Sequence, residues 1–189
     1  MRLFVAVDLS EDARQAIAAE QKRIAAALGE AKTRLKWVRS EHLHLTLVFL
    51  GEVEDARVPS VVDAIGRDVD APPFDLTFSG AGVFPPHRAP RALWIGISAG
   101  ASELIAVQKE LAQRAARTGV ELDDRPFSPH LTLGRWRTSR PSDGRRALAV
   151  AGQGAIARMR VAVATLYESQ LSSSGPAYTA RARANLAHL

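Results

Sequence analysis

The chain has 189 residues, 47% hydrophobic and 24% charged, which fits one domain, or one domain in two lobes, with a sizeable buried core. It has no cysteine, which excludes disulfides, cysteine–zinc sites and thiol nucleophiles. The formal net charge is +5 and is carried mostly by arginine, whose guanidinium fork matches phosphate oxygens, so the balance points toward a phosphate-bearing partner.

Leu3 to Val7 is a continuous apolar run and reads as a buried strand. Ser10 followed by Glu11 and Asp12 reads as a helix cap with acidic residues in the first turn, and Ile17, Ile24 and Leu28 continue at helical spacing to Gly29. Leu35 to Val38 reads as a short strand, and His42 to Leu50 as a second, stopped by Gly51. Glu54 to Val69 reads as a helix with Pro59 near its start, broken by Ala71-Pro72-Pro73. Phe74 to Ser79 alternates as a strand does, and Gly80 to Pro90 reads as a Gly/Pro-rich loop.

Arg91 to Ser98 is the next predicted strand, Ala101 to Arg117 a helix closed by Gly119, and His130 to Arg137 a strand entered through the loop Asp123 to Pro129. A short helix from Ser142 to Val150 is expected in the otherwise uninformative stretch Thr138 to Gly154. Ala155 to Ser169 reads as one long strand or two, Ser172 to Pro176 as a turn, and Tyr178 to Leu186 as a last strand. This order predicts one α+β domain over residues 1–189 with mostly antiparallel sheets. The run after Met1-Arg2 ends at Asp8, too short for a secretory leader, and no apolar stretch reaches membrane length, so the expected compartment is the cytoplasm.

Two of the five histidines open the same word, His-Leu-Thr-Leu, at His44 and at His130. Alternate residues of a strand share a face, so each copy sets an imidazole beside a hydroxyl and sends its leucines into a core. Two such pairs across a groove suit metal-free opening of a cyclic phosphate. One imidazole takes a proton from water, the other gives one to the leaving oxygen, and each role contributes roughly 10²–10⁴-fold. Thr46 and Thr132 can donate to the non-bridging oxygens. Arg135 is a further phosphate ligand if Gly134 introduces a bulge, since plain alternation turns it away from His130.

A metal is not expected, because no carboxylate stands at ligand spacing beside either copy and Asp123 and Asp124 lie on a separate segment. His42 reads as peripheral, His87 as a surface loop residue, and His188 has no expected role. Phe4, Phe49, Phe84 and Trp94 are candidates to stack a base, with core packing the plainer reading of each. Phe84 is favoured for its predicted loop position, and Trp94 is kept beside it.

These residues resemble the two-histidine phosphoesterase superfamily, and within it the bacterial RNA 2′,3′-cyclic phosphodiesterases, also named 2′-5′ RNA ligases. The resemblance runs from Leu3-Phe4-Val5-Ala6-Val7-Asp8 through Trp37-Val38-Arg39 and Leu43-His44-Leu45-Thr46-Leu47-Val48-Phe49-Leu50-Gly51. It continues in Gly82-Val83-Phe84-Pro85, Phe127-Ser128-Pro129-His130-Leu131-Thr132-Leu133-Gly134-Arg135, Leu166-Tyr167-Glu168-Ser169 and Tyr178. It implies a bilobal fold with one motif per lobe around a central cleft, and hydrolysis of a terminal 2′,3′-cyclic phosphate on RNA to a 2′-phosphomonoester. It further implies no metal or nucleotide cofactor, His44 as proton donor and His130 as proton acceptor, and reversible 2′-5′ ligation.

The two motifs are locally alike, so the residues themselves do not give that direction. Thr138 to Gly154 and the tail from Arg181 to Leu189 depart from the family pattern. Two rival readings stay open. One is a phosphodiesterase of the same superfamily acting on 2′-5′-linked oligonucleotides or a small cyclic nucleotide; the other is a non-catalytic RNA-binding module. A monomer is expected.

Overall fold

The computed structural model describes residues 1–29, 35–172 and 175–187; His188, and Ser173 and Ser174 of the expected turn, lie outside them. In chain order the elements are β1 (Arg2–Asp8), α1 (Glu11–Leu28), β2 (Leu35–Trp37), β3 (His44–Glu52), α2 (Val58–Ile65), β4 (Val69–Asp70), β5 (Phe74–Phe84) and β6 (Ala92–Ala99). Then follow α3 (Ala101–Arg117), β7 (His130–Trp136), α4 (Pro141–Val150), β8 (Ala155–Val161), β9 (Val163–Ser172) and β10 (Gly175–Ala187).

The caps act as their chemistry requires. Ser10 Oγ accepts the Ala13 N–H at 3.3 Å at the start of α1. Glu11 and Asp12 occupy the first turn, where the helix dipole favours them.

Two five-stranded sheets carry the fold, in the orders β3-β1-β9-β10-β4 and β2-β7-β6-β5-β8. The pairings are antiparallel except for the short β10–β4 contact, as an α+β chain of hairpins and short returns predicts. The block β3-β1-β9 in one sheet matches β7-β6-β5 in the other. Both β1 and β6 feed a long helix and then pair with the strand that carries a motif. Helix α1 packs on β8 of the second sheet, α3 packs on β3 of the first, and β3 meets β7. The two sheets are thereby tied together with the motif strands at the seam.

Three expectations need correction. His42 ends a 3-10 turn, Ser40–His42, and the strand opens at His44; the Leu43 N–H turns back to the Ser40 carbonyl at 3.2 Å and so leaves the ladder. The helix expected over Glu54 to Val69 is a 3-10 turn, Asp55–Arg57, followed by α2, which stops at Gly66. Val69 and Asp70 are instead drawn into strand pairing by the end of β10.

The Gly/Pro-rich loop begins later than predicted, because β5 runs on to Phe84. A bulge between Ser79 and Ala81, with Gly80 at φ +66°, absorbs the glycines inside the strand. The stretch Ala155 to Ser169 is two strands broken at Ala162.

Candidate active site

Each motif repeats the same local build. Leu45, Leu47, Leu131 and Leu133 are buried, while His44, Thr46, His130 and Thr132 stand on the opposite face, partly open. Nδ1 of His44 lies 2.7 Å from the carbonyl oxygen of His42, and Nδ1 of His130 lies 2.7 Å from that of Ser128. A carbonyl can accept but not donate, so Nδ1 carries the hydrogen in both rings. Nε2 is left as the atom that exchanges protons. His42 therefore contributes through its backbone.

Beyond each threonine the strand takes one extra residue. In β3 the pairing steps from Thr46–Ala6 to Val48–Val5, so Leu47 is extra; in β7 it steps from Thr132–Trp94 to Gly134–Leu93, so Leu133 is extra. The bulge inverts the alternation, and Phe49 and Arg135 turn to the motif face. This is the condition the sequence set for Arg135. Gly134 belongs to the same device: a Cβ there would stand 3.0 Å from the Leu35 side chain and 3.1 Å from the Lys36 carbonyl, so glycine lets β2 close against the bulge.

The bulge carbonyl of Leu133 is held from two directions, by the Val38 N–H at 2.8 Å and by Nε2 of Gln21 at 2.8 Å. Gln21 is a buried amide on α1 that also donates to the Val38 carbonyl at 2.9 Å. It is one of the few buried polar side chains, and its partners are all backbone of this junction.

A cleft of about 1420 Å³ runs along the seam, lined by Thr46, Phe49, Phe84, His130, Thr132 and Arg135 among others. His44 sits further back, its ring 5.0 Å from that of Phe4 and 5.4 Å edge-on from that of Tyr178. Burial in this aromatic setting holds the His44 imidazole below its ordinary range. The His42 carbonyl and the Asp8 carboxylate oppose that shift, and the nearby Arg135 cation reinforces it. Arg135 of the other sheet is near enough for its charge to be felt at the His44 ring, in keeping with the meeting of β3 and β7 at the seam.

Asp8 pairs across β1–β3 with His44 and accepts from Tyr167 Oη at 2.8 Å and Thr165 Oγ1 at 3.3 Å. Burial, and secondly that bond to Asp8, push the Tyr167 hydroxyl up to about 12, so it stays a donor. Burial raises Tyr178 as well, against the opposing charges of Arg135 and Arg2.

His130 has a different setting. Phe84 meets its ring edge-on at 5.0 Å and Trp94 lies 6.0 Å away, with Phe84 and Trp94 5.0 Å apart. The indole lies over Gly82, where a Cβ would stand 2.0 Å from it. Phe84 is the last residue of β5 rather than a loop residue, and it does line the cleft. Trp94 backs Phe84 and His130 without lining it, and its Nε1 is buried without a partner. His87 is exposed.

Among the described residues no group of three or more histidines or carboxylates could hold a metal ion, and no helix is long and apolar enough to cross a membrane. Asp8, Gln21, Tyr167 and Tyr178 were not singled out as site residues in the sequence. Asp8 shares the motif face of β1 with Phe4, a period-two signal that strand pairing alone makes meaningful.

Comparison with known proteins agrees with this architecture. The model of the LigT-like phosphoesterase family matches residues 7–94 and again 95–178, one match to each motif. The chain is 33% identical over 182 residues to a Methanothermobacter thermautotrophicus protein named RNA 2′,3′-cyclic phosphodiesterase, covering 95% of each. It is 33% identical over 178 residues to the Escherichia coli protein of that name, covering 94% of this chain and 92% of the other. The crystal structure of E. coli LigT complexed with 3′-AMP superposes with a TM-score of 0.77 at 31% identity, over 98% of this chain and 97% of that one.

Proposed function

The chain belongs to the LigT-like phosphoesterase family, and we propose that it is an RNA 2′,3′-cyclic phosphodiesterase that converts a terminal cyclic phosphate to a 2′-phosphomonoester. One observation carries this reading: the two His-Leu-Thr-Leu strands come from different sheets, yet Thr46, His130, Thr132 and Arg135 line one cleft and Arg135 acts on His44.

In the mechanism, His130 takes a proton from the attacking water through Nε2. The P–O3′ bond breaks in line, and His44 delivers a proton from Nε2 to the departing O3′. The Thr46 and Thr132 hydroxyls donate to the non-bridging oxygens, where charge builds, and Arg135 neutralises the phosphoryl group.

The donor role needs a charged His44: burial works against that form, while the His42 carbonyl and the Asp8 carboxylate beside the ring work for it. Phe84 offers a face for the terminal base. By microscopic reversibility a 5′-hydroxyl in place of water gives a 2′-5′ linkage, with hydrolysis favoured in water. Both motifs and Arg135 come from one chain, so one bilobal domain over residues 1–189 supplies the whole site and a monomer suffices for the reaction. An RNA substrate suits a cytoplasmic enzyme.

The deciding experiment is turnover of an oligoribonucleotide ending in a 2′,3′-cyclic phosphate in the presence of a strong chelator, with the product resolved by ³¹P NMR. The expected product is the 2′-phosphomonoester. A product that is mainly 3′-phosphate, or turnover lost on chelation and restored by added metal, overturns the mechanism. Binding without turnover makes the protein an RNA-binding module.

A further inference from the structure

The bulge at Leu47 leaves Phe49 on the motif face, in the position of β3 that Arg135 occupies in β7. Phe49 is 50% exposed, which is unusual for a phenylalanine in mid-strand, and it lines the cleft. The Arg2 guanidinium carbon lies 5.1 Å from the centroid of its ring, a cation stacked on an aromatic face. Arg2 shares its face of β1 with Phe4, whose ring meets those of His44 and Tyr178, so this cation stands on the same face as the catalytic pair.

The cleft, at about 1420 Å³, exceeds the roughly 300–1,000 Å³ of ordinary small-molecule sites. A second aromatic, Phe84, stands beside His130 on the opposite wall. The cleft has room for more than the terminal nucleotide.

We infer that Phe49 and Arg2 form a second nucleotide subsite, in which the base 5′ to the terminal nucleotide stacks on the Phe49 ring and its phosphate meets Arg2. This rests on the phosphodiesterase reading and narrows it: the substrate class is an oligonucleotide of at least two residues. Recognition is by a π-face and a phosphate charge, so the subsite tolerates any base.

The test compares three substrates under one assay: a nucleoside 2′,3′-cyclic phosphate, a dinucleotide ending in the same group, and that dinucleotide with an abasic 5′ residue. Stacking one base on an aromatic side chain is typically worth roughly five- to 150-fold. The wild-type kcat/KM ratio of dinucleotide to mononucleotide is therefore expected to be tenfold or more, and to fall sharply for the abasic dinucleotide. Phe49→Leu should collapse the ratio while Phe49→Trp keeps it, which separates stacking from simple apolar bulk. Turnover of all three substrates at equal efficiency, or a ratio unchanged in Phe49→Leu, overturns the subsite and leaves the phosphodiesterase reading standing. Failure of the wild type on every substrate sinks that reading instead.

Discussion

Nε2 of Gln21 donates to the carbonyl oxygen of Leu133 at 2.8 Å, joining helix α1 to the extra residue of the β7 bulge across 112 positions of sequence. That residue decides which way Arg135 faces. In the proposed mechanism Gln21 is thus a positioning residue for Arg135.

Gln21→Leu should keep the fold at a cost of about 1–3 kcal/mol, the usual penalty for a disturbed buried hydrogen bond. It should lower kcat/KM, and the His44 ring should titrate at higher pH as the Arg135 charge withdraws. NMR titration of His44 gives the readout. A ring that titrates as in the wild type while activity falls would mean that Gln21 has a merely structural role.

Replacing either histidine with alanine should remove turnover by roughly 10²–10⁴-fold and leave RNA binding nearly intact. The double variant should be little worse than the worse single one, because the two rings act as a unit. Single-turnover rates beside equilibrium binding measure this. Rates that survive both replacements would falsify the assignment.

The pH dependence carries a sign. Asp8 favours charged His44 and Arg135 disfavours it, so Asp8→Asn should lower the His44 pKa further and Arg135→Gln should raise it. A proton donor must be charged to act, so the alkaline limb of the kcat/KM profile should move to lower pH in Asp8→Asn and to higher pH in Arg135→Gln. The same movements on the acid limb, with the alkaline limb unmoved, would assign His44 to the acceptor role.

Stability follows the same linkage. A folded-state pKa held below the ordinary imidazole value means that the folded chain binds fewer protons than the unfolded one. Stability is then lost as pH falls from that ordinary value through the lowered one. Thermal unfolding from pH 7 downward should show this loss, and His44→Gln should flatten it.

Thr46→Val and Thr132→Val each remove a hydroxyl while keeping the branched shape. If the hydroxyls stabilise developing charge, kcat should drop on the order of 10²-fold with a smaller change in KM. A change confined to KM would make them ground-state ligands.

The sequence spoke clearly where local chemistry decides. Ser10, Glu11 and Gly29 bound α1, Gly119 follows the end of α3, and the repeated word marks both catalytic strands. It was silent where a distant strand decides. The bulges at Leu47 and Leu133 are properties of pairing with β1 and β6; the first gave no sign along β3, and only Gly134 hinted at the second along β7. For the same reason Phe49 read as core. Gly80 looked like loop because a glycine inside a bulged strand and a glycine in a turn are written alike. The contact of Tyr167 with Asp8 spans 159 positions, beyond the reach of any periodicity.

Across the ladder from His44 stands Asp8, while the matching place opposite His130 is Gly96. Two imidazoles hooked identically to their own backbones would be interchangeable if nothing else distinguished them. With such a pair, only the way the substrate is seated would choose the leaving oxygen. Asp8 is one of the features that set the two rings apart, beside the deeper burial of His44 and the Phe84 and Trp94 rings at His130, and it is a place where the proposed polarity can be tuned without touching either histidine.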